Sequence, residues 1–124
     1  MRVLLIDDSS TMRKIQKKSL IEIGIEDITE AENGRIGLEK LQADGYKFTF
    51  VMCDINMPEM SGIELLKAVR ADPNSNKIPI IMCTSVADKE VVLDCIKSGA
   101  NNYIVKPFSS DDLKKKVQAL GLMT

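Results

Sequence analysis

The chain has 124 residues, 44% of them apolar, and a formal net charge of −1 from 17 basic and 18 acidic residues, which suits a single domain over residues 1–124 with one normal core. Acidic and basic residues are interspersed, so the one-sided basic field of a nucleic-acid or membrane-surface binder is missing, and no nucleic-acid partner is expected. No apolar run approaches the roughly 20 residues of a membrane span and the apolar stretch behind Met1 is too short for a signal sequence, so the expectation is a cytoplasmic protein without membrane insertion.

The first apolar segment, "VLLI" at 3–6, runs into Asp7 and Asp8. A helical pattern follows, with Met12, Ile15, Ser19, Leu20 and Ile23 on one stripe, Arg13, Lys14, Lys17 and Lys18 pointing elsewhere, and Gly24 closing it. "DITEA" at 27–31 reads as a second strand, and the "NG" at 33–34 opens a shorter helix carrying Ile36, Leu38 and Leu41. "TFVMC" at 49–53 is the third strand and ends against Asp54. The third helix has Ile63, Leu65, Leu66 and Val69 and must stop before Pro73, and "DPNSNK" at 72–77 is a loop rather than a domain boundary. "IPIIMCT" at 78–84 is a fourth strand, and a fourth helix runs from about Asp88 through Val92, Cys95 and Ile96 to Gly99. "NYIV" at 102–105 is the fifth strand, and the last helix starts at "SSDD" with Leu113, Val117 and Leu120 on one face. Ser109 and Asp112 there have the spacing of a capping box with an acidic partner.

Most of these strands are continuous apolar runs without alternation, the mark of strands covered on both faces of a parallel sheet. Strand and helix alternating five times predict an α/β, doubly wound domain.

Cys53, Cys83 and Cys95 are odd in number and sit in apolar segments, which fits buried reduced thiols better than disulfides. Histidine is absent, which removes the usual zinc ligand, the Ser-His and Cys-His nucleophile pairs and any histidine phosphodonor role. Chemistry is left to carboxylates, hydroxyls and lysine.

In an open parallel sheet, ligands bind outside the carboxyl ends of the strands. The residues at those ends are Asp7 and Asp8, Asp54, Thr84, and Lys106 followed by Pro107. Taken singly each has an ordinary reading: Asp7 and Asp8 as helix N-caps, Thr84 as a strand residue, Lys106 as a loop lysine. Their joint placement at four strand ends argues against coincidence. Converging carboxylates demand a cation, and oxygen ligands without histidine or thiolate favour Mg²⁺, with Mn²⁺ as a substitute. Lys106 adds a mobile positive charge and Thr84 a hydroxyl donor. A metal, an ammonium and a hydroxyl around one carboxylate are what phosphoryl transfer uses, so Asp54 is placed to be the nucleophile that forms an acyl phosphate. Pro58 and Gly62 then shape the adjoining loop.

The segments "LLIDDSS", "CDINMPEMSG", "IIMCTS" and "NYIVKPF" resemble the receiver domain of two-component response regulators over essentially the whole chain. "DDSSTMRK", "NMPEMSGIELLKAVR" and "GANNYIVKPF" are most similar to stand-alone chemotaxis response regulators. The resemblance implies a flavodoxin-like sheet of order 2-1-3-4-5, an order for which a chemotaxis receiver is itself the stock example. It implies that Asp54 accepts a phosphoryl group from a histidine kinase, and that Asp7, Asp8, Asp54 and the backbone carbonyl of Asn56 hold Mg²⁺. Lys106 would pair with the phosphoryl oxygens, Thr84 would move to hydrogen-bond them, and Tyr103 would turn inward behind it. The new charge would thereby reshape the surface of the fourth helix, fifth strand and fifth helix.

Asn56 and Val86 flank the path of the hydrolytic water and are the expected lifetime-tuning positions, with the apolar Val86 unable to orient that water. The lysine run "KKK" at 114–116 reads as a solvated face that also belongs to the implied output surface, and Val91 and Leu93 as burial or a partner groove. Gly37 inside the second helix costs about 1 kcal/mol relative to Ala, which close packing would explain. The expected role is a monomeric signalling protein rather than an enzyme, acting in chemotaxis by a changed binding face. Its expected partners are a histidine kinase, a flagellar motor switch protein and a phosphatase. Competing readings are a phosphorelay intermediate or phosphate sink, and a haloacid-dehalogenase-like phosphohydrolase. The last is disfavoured because Asn56 stands where such enzymes carry a second aspartate.

Overall fold

A computed structural model describes residues 1–45, 47–85 and 89–123. Five strands alternate with five helices: β1 (Arg2–Ile6), α1 (Ser10–Glu22), β2 (Asp27–Ala31), α2 (Gly34–Ala43), β3 (Phe50–Asp54), α3 (Gly62–Ala71), β4 (Ile80–Thr84), α4 (Lys89–Lys97), β5 (Asn102–Val105) and α5 (Ser110–Ala119). All four pairings are parallel and the sheet order is β2-β1-β3-β4-β5. The order expected from the resemblance is therefore the observed one.

The continuous apolar runs of β1, β3 and β4 arise because these three strands are buried on both faces, whereas the edge strands β2 and β5 are only partly covered. Val3 and Leu5, Phe50 and Met52, Ile81 and Cys83 face α1 and α5, where they pack with Leu20, Leu113 and Val117. The alternate residues Leu4 and Ile6, Val51 and Cys53, Ile80 and Met82 face the other way, against Leu41, Leu65, Leu66, Val69 and Cys95 of α2, α3 and α4. Fully burying one such side chain stabilises by about 1.5–3 kcal/mol, so the three central strands carry most of the core.

Side-chain oxygens satisfy the helix starts. Ser9, Asn33, Ser61 and Ser109 are the N-caps of α1, α2, α3 and α5. Ser109 and Asp112 form the reciprocal box that their spacing predicts, and Ser61 with Glu64 forms a second one. Gly37 is explained by packing: a Cβ there would run into Cδ1 of Ile6, so the glycine lets α2 lie close on β1 without displacing that side chain.

Three expectations change. The predicted stripe of α1 is rotated: Ile15 is 52% exposed, while Gln16 is 1% exposed and faces the core. On α4, Cys95 is buried but Ile96, which the helical pattern groups with it, is about half exposed. The fourth strand starts at Ile80, not Ile78, because Pro79 lacks an N–H for the ladder and only its carbonyl pairs, with Val51 N–H. Asp88, proposed as the start of the fourth helix, lies outside the described residues.

Candidate functional site

The chain leaves β1 to build β2 on one side and β3 on the other, so the topological switch point lies between β1 and β3. Register then sets what meets there. Ile6 pairs with Cys53, which brings Asp7 and Asp54, the next residues, level with each other. Asp54 pairs with Cys83 and Thr84 with Val105, which puts Thr84 and Lys106 one step beyond on β4 and β5.

Local chemistry holds each of these residues. Ser9, not Asp7 or Asp8, is the N-cap of α1, and its N–H donates to Asp7 Oδ1 at 2.9 Å, turning the chain from strand to helix. Arg13 donates to the Asp7 carbonyl at 2.6 Å while pairing with Glu30 at 3.2 Å, which ties α1 and β2 to the first strand end. After Asp54 the loop doubles back: Gly62 N–H donates to Ile55 O at 2.8 Å, with Glu59 at a left-handed φ of 66°. A Cβ on Gly62 would strike the Asp54 carbonyl, so the start of α3 lies directly on the backbone of that aspartate. The Lys106–Pro107 peptide is cis.

The polar groups converge as the strand-end argument requires. Lys106 Nζ bridges Asp7 Oδ2 at 3.0 Å and Asp54 Oδ1 at 3.1 Å. Asp54 Oδ1 also accepts the Ile55 N–H at 2.9 Å. Carboxylate oxygens of Asp7, Asp8 and Asp54 all lie within 4.8 Å of one another, with Asp7 buried, Asp54 half-buried and Asp8 exposed. Thr84 is buried at the end of β4, and its carbonyl accepts the Lys106 N–H at 2.7 Å. Asn56 is exposed in the loop; Val86 lies outside the described residues.

Burial pushes the Asp54 carboxyl above its ordinary range; the Asp7 charge adds to this and Lys106 opposes it. Burial works against the Lys106 ammonium too, but its bond to Asp7 and the charges of Asp54 and Asp7 outweigh it, so the lysine is held firmly protonated. Cys83, desolvated beside the site, is pushed up to about 12, and Cys53 is also raised by burial, so neither thiol takes part as a thiolate. Three carboxylates against one ammonium leave the cluster two negative charges in excess. Oxygens on one octahedral ion at about 2.1 Å lie about 3–4 Å apart, so these three need only a small closure to bind Mg²⁺. The donor set is all oxygen and hard, and one side is open for waters and substrate oxygens, which fits that ion.

Tyr103 lies on β5, the strand beside that of Thr84, partly buried against the core, with Lys116 Nζ 4.8 Å from its ring centroid. It borders a groove of about 510 Å³ between β5 and α5 that also takes in Phe108, Asp112, Lys115 and Lys116. Two features carry no mark in the sequence analysis above. The Ser61–Glu64 box was legible as S-x-x-E spacing, whereas the contact of Gln16 with Asp7 was hidden by the assumption of an apolar stripe.

Residues 3–118 match the model of the response regulator receiver domain. The chain belongs to that family. Over 120 residues, 97% of this chain and 96% of the other, it is 48% identical to chemotaxis protein CheY1 of Helicobacter pylori. Among solved structures, CheY4 of Vibrio cholerae superposes with a TM-score of 0.84 at 35% identity, covering 94% of this chain and 95% of that one. A chain of the CheX–CheY–BeF3–Mg²⁺ complex of Borrelia burgdorferi superposes with a TM-score of 0.90 at 26% identity, covering 98% and 89%. This is a CheY-like receiver domain of a chemotaxis response regulator, a signalling protein of the two-component class. Receiver domains bind Mg²⁺ in an acidic pocket, and Asp7, Asp8 and Asp54 form one here. Among the described residues no helix is long and apolar enough to cross a membrane.

Proposed function

We propose that the domain is a phosphorylation switch in which Asp54 takes a phosphoryl group from a histidine kinase and the altered β5–α5 surface carries the signal in chemotaxis. The observation that carries this reading is the bridge of Lys106 between Asp7 and Asp54 at the switch point of the sheet. Both the Ile55 N–H and Lys106 meet Asp54 Oδ1, so Oδ2 is the oxygen offered to phosphorus. It attacks the phosphohistidine phosphorus, an O–P bond forms, the P–N bond breaks, and the imidazole leaves with the electron pair and picks up a proton. Asp7, Asp8, Asp54 and the Asn56 carbonyl would hold Mg²⁺, which when bound neutralises charge on the incoming phosphoryl oxygens. Lys106 follows the negative charge from the two carboxylates to the phosphoryl group, and the buried Thr84 supplies a hydroxyl donor.

Movement of Thr84 leaves room behind it, and Tyr103 on the neighbouring strand turns inward to fill it. That motion changes the groove beside α5, where Phe108 offers apolar contact and Lys115 and Lys116 offer charge to a partner such as a flagellar switch protein. The complex of Borrelia burgdorferi CheY with CheX, BeF3 and Mg²⁺ suggests a CheX-like partner as well. Asn56 and Val86 then set the phosphoryl lifetime, the domain works as a monomer, and the cytoplasm is its site of action.

The test is intact mass after incubation with acetyl phosphate, with and without Mg²⁺. The expected result is a Mg²⁺-dependent gain of one phosphoryl group that hydroxylamine removes and that Asp54→Asn abolishes. Absence of any adduct, even with a purified chemotaxis kinase, or an adduct that survives in Asp54→Asn, would overturn the reading.

A further inference from the structure

Gln16 sits in the second turn of α1 on the face that packs on the sheet, one turn from Leu20, and is only 1% exposed. An apolar residue is the ordinary occupant of such a position. A buried amide needs partners for both ends, and leaving one unpaired is destabilising. Among the described residues Oε1 has no hydrogen-bond partner. The other end does have one: Nε2 lies 3.4 Å from Asp7 Oδ2. Packing alone gives the amide no advantage over Met or Leu, so its donor toward Asp7 is what distinguishes it.

The distribution of donors around Asp7 says what that donor does. Oδ1 accepts the Ser9 N–H at 2.9 Å; Oδ2 accepts Lys106 Nζ at 3.0 Å and Gln16 Nε2 at 3.4 Å. Lys106 is shared with Asp54 at 3.1 Å and is the partner that must move when negative charge arrives on Asp54. Once it moves, Gln16 is the one donor that Oδ2 retains among the described residues. We propose that Gln16 is a positioning residue for the metal-binding carboxylate of Asp7, holding its Oδ2 in place when Lys106 leaves for the phosphoryl group.

This rests on the Mg²⁺-dependent phosphoacceptor reading of the site. In that reading Asp7 has one fixed donor on each oxygen throughout the cycle, a backbone N–H on one and a side-chain amide on the other. Its carboxylate plane then stays oriented toward the metal while its charge partner changes. The present separation of 3.4 Å is at the long end for an N–H···O bond and is expected to shorten as the competing ammonium withdraws.

The experiment pairs Mg²⁺ titration calorimetry on the wild type and Gln16→Met with NMR of the Gln16 side-chain amide in the wild type, with Mg²⁺ alone and with Mg²⁺ plus beryllofluoride. Partners that orient metal ligands contribute roughly 10–100-fold in affinity, and the long bond puts the expected loss in Gln16→Met at about tenfold. Saturating Mg²⁺ should restore the phosphorylation rate, and metal-free stability should equal or exceed that of the wild type. The amide protons should move downfield on adding beryllofluoride. A wild-type Mg²⁺ affinity in folded Gln16→Met, or an amide signal unmoved by beryllofluoride, overturns the proposal; the second readout stands even if the variant does not fold. Failure of the wild type itself to bind Mg²⁺ would instead remove the reading on which the proposal rests.

Discussion

Among the described residues two cations each bridge two carboxylates, Lys106 at the site and Arg35 on the surface. At the sheet, Lys106 meets Asp7 and Asp54 at 3.0 and 3.1 Å; on the surface, Arg35 meets Glu39 and Glu59 at 2.8 and 2.7 Å. By distance the surface cluster is the tighter one. By environment the order reverses, because side-chain exposures of 11, 1 and 13% at the first compare with 53, 58 and 54% at the second. Water and salt screen the Arg35 cluster, whereas the Lys106 cluster acts at low effective dielectric, where each charge governs its neighbours. Bond length alone does not say which cluster matters.

The largest consequence concerns removal of the cation. Lys106→Met leaves two carboxylates facing each other with little water, so metal-free protein should lose about 3 kcal/mol in urea denaturation, in line with breaking other buried pairs. Millimolar Mg²⁺ should recover most of that loss, because a divalent ion replaces the missing charge. Arg35→Met is expected to shift the urea midpoint by no more than the error of the measurement. Equal losses in the two variants would show that the burial argument is wrong.

Removing a carboxylate should act in the opposite direction. The Asp54 carboxyl is raised from its ordinary 3.8 chiefly by burial, so the folded chain binds its proton more tightly than the unfolded chain does. Its contribution to stability is therefore greatest below about 3.8, falls as pH rises to the folded value, and is a net cost above it. Asp54→Asn should raise the melting temperature at neutral pH in EDTA, with the gain shrinking as the pH is lowered through the acid range. A destabilised Asp54→Asn at neutral pH would mean that pairing with Lys106 outweighs desolvation.

The buried cluster was more legible in the sequence than the surface one, for a physical reason. Parallel strands covered on both faces force continuous apolar runs, and the residues that stop them at Asp7, Asp54, Thr84 and Lys106 stand out as polar at places where the topology collects ligands. Nothing comparable marks Arg35 and Glu59, 24 positions apart, because their meeting depends on the path of the β3–α3 loop and the left-handed turn at Glu59. Gln16 escaped for a third reason. A periodic stripe is assigned by its apolar members, which places Ile15 on the core face, whereas the fold puts Gln16 there with its amide toward Asp7. Gly37 showed in the sequence as an anomaly whose cause, the side chain of Ile6, only packing reveals.

The smallest expected effect tests whether the surface cluster does anything for the site. Arg35 joins α2 to Glu59, three residues beyond Asn56, and so restrains the loop that carries a proposed metal-binding carbonyl. In 1 M salt the Debye length falls to about 3 Å, which removes most of the advantage of an exposed pair while leaving the Lys106 bridge largely intact. Glu59→Gln should therefore slow phosphorylation by acetyl phosphate less than about twofold at low salt, the scale of an exposed ion pair, and not at all in 1 M salt. A larger, salt-independent loss would mean that Glu59 acts on the site through its backbone conformation rather than its charge, and the comparison between the two clusters would then have to be drawn in terms of loop geometry instead of screening.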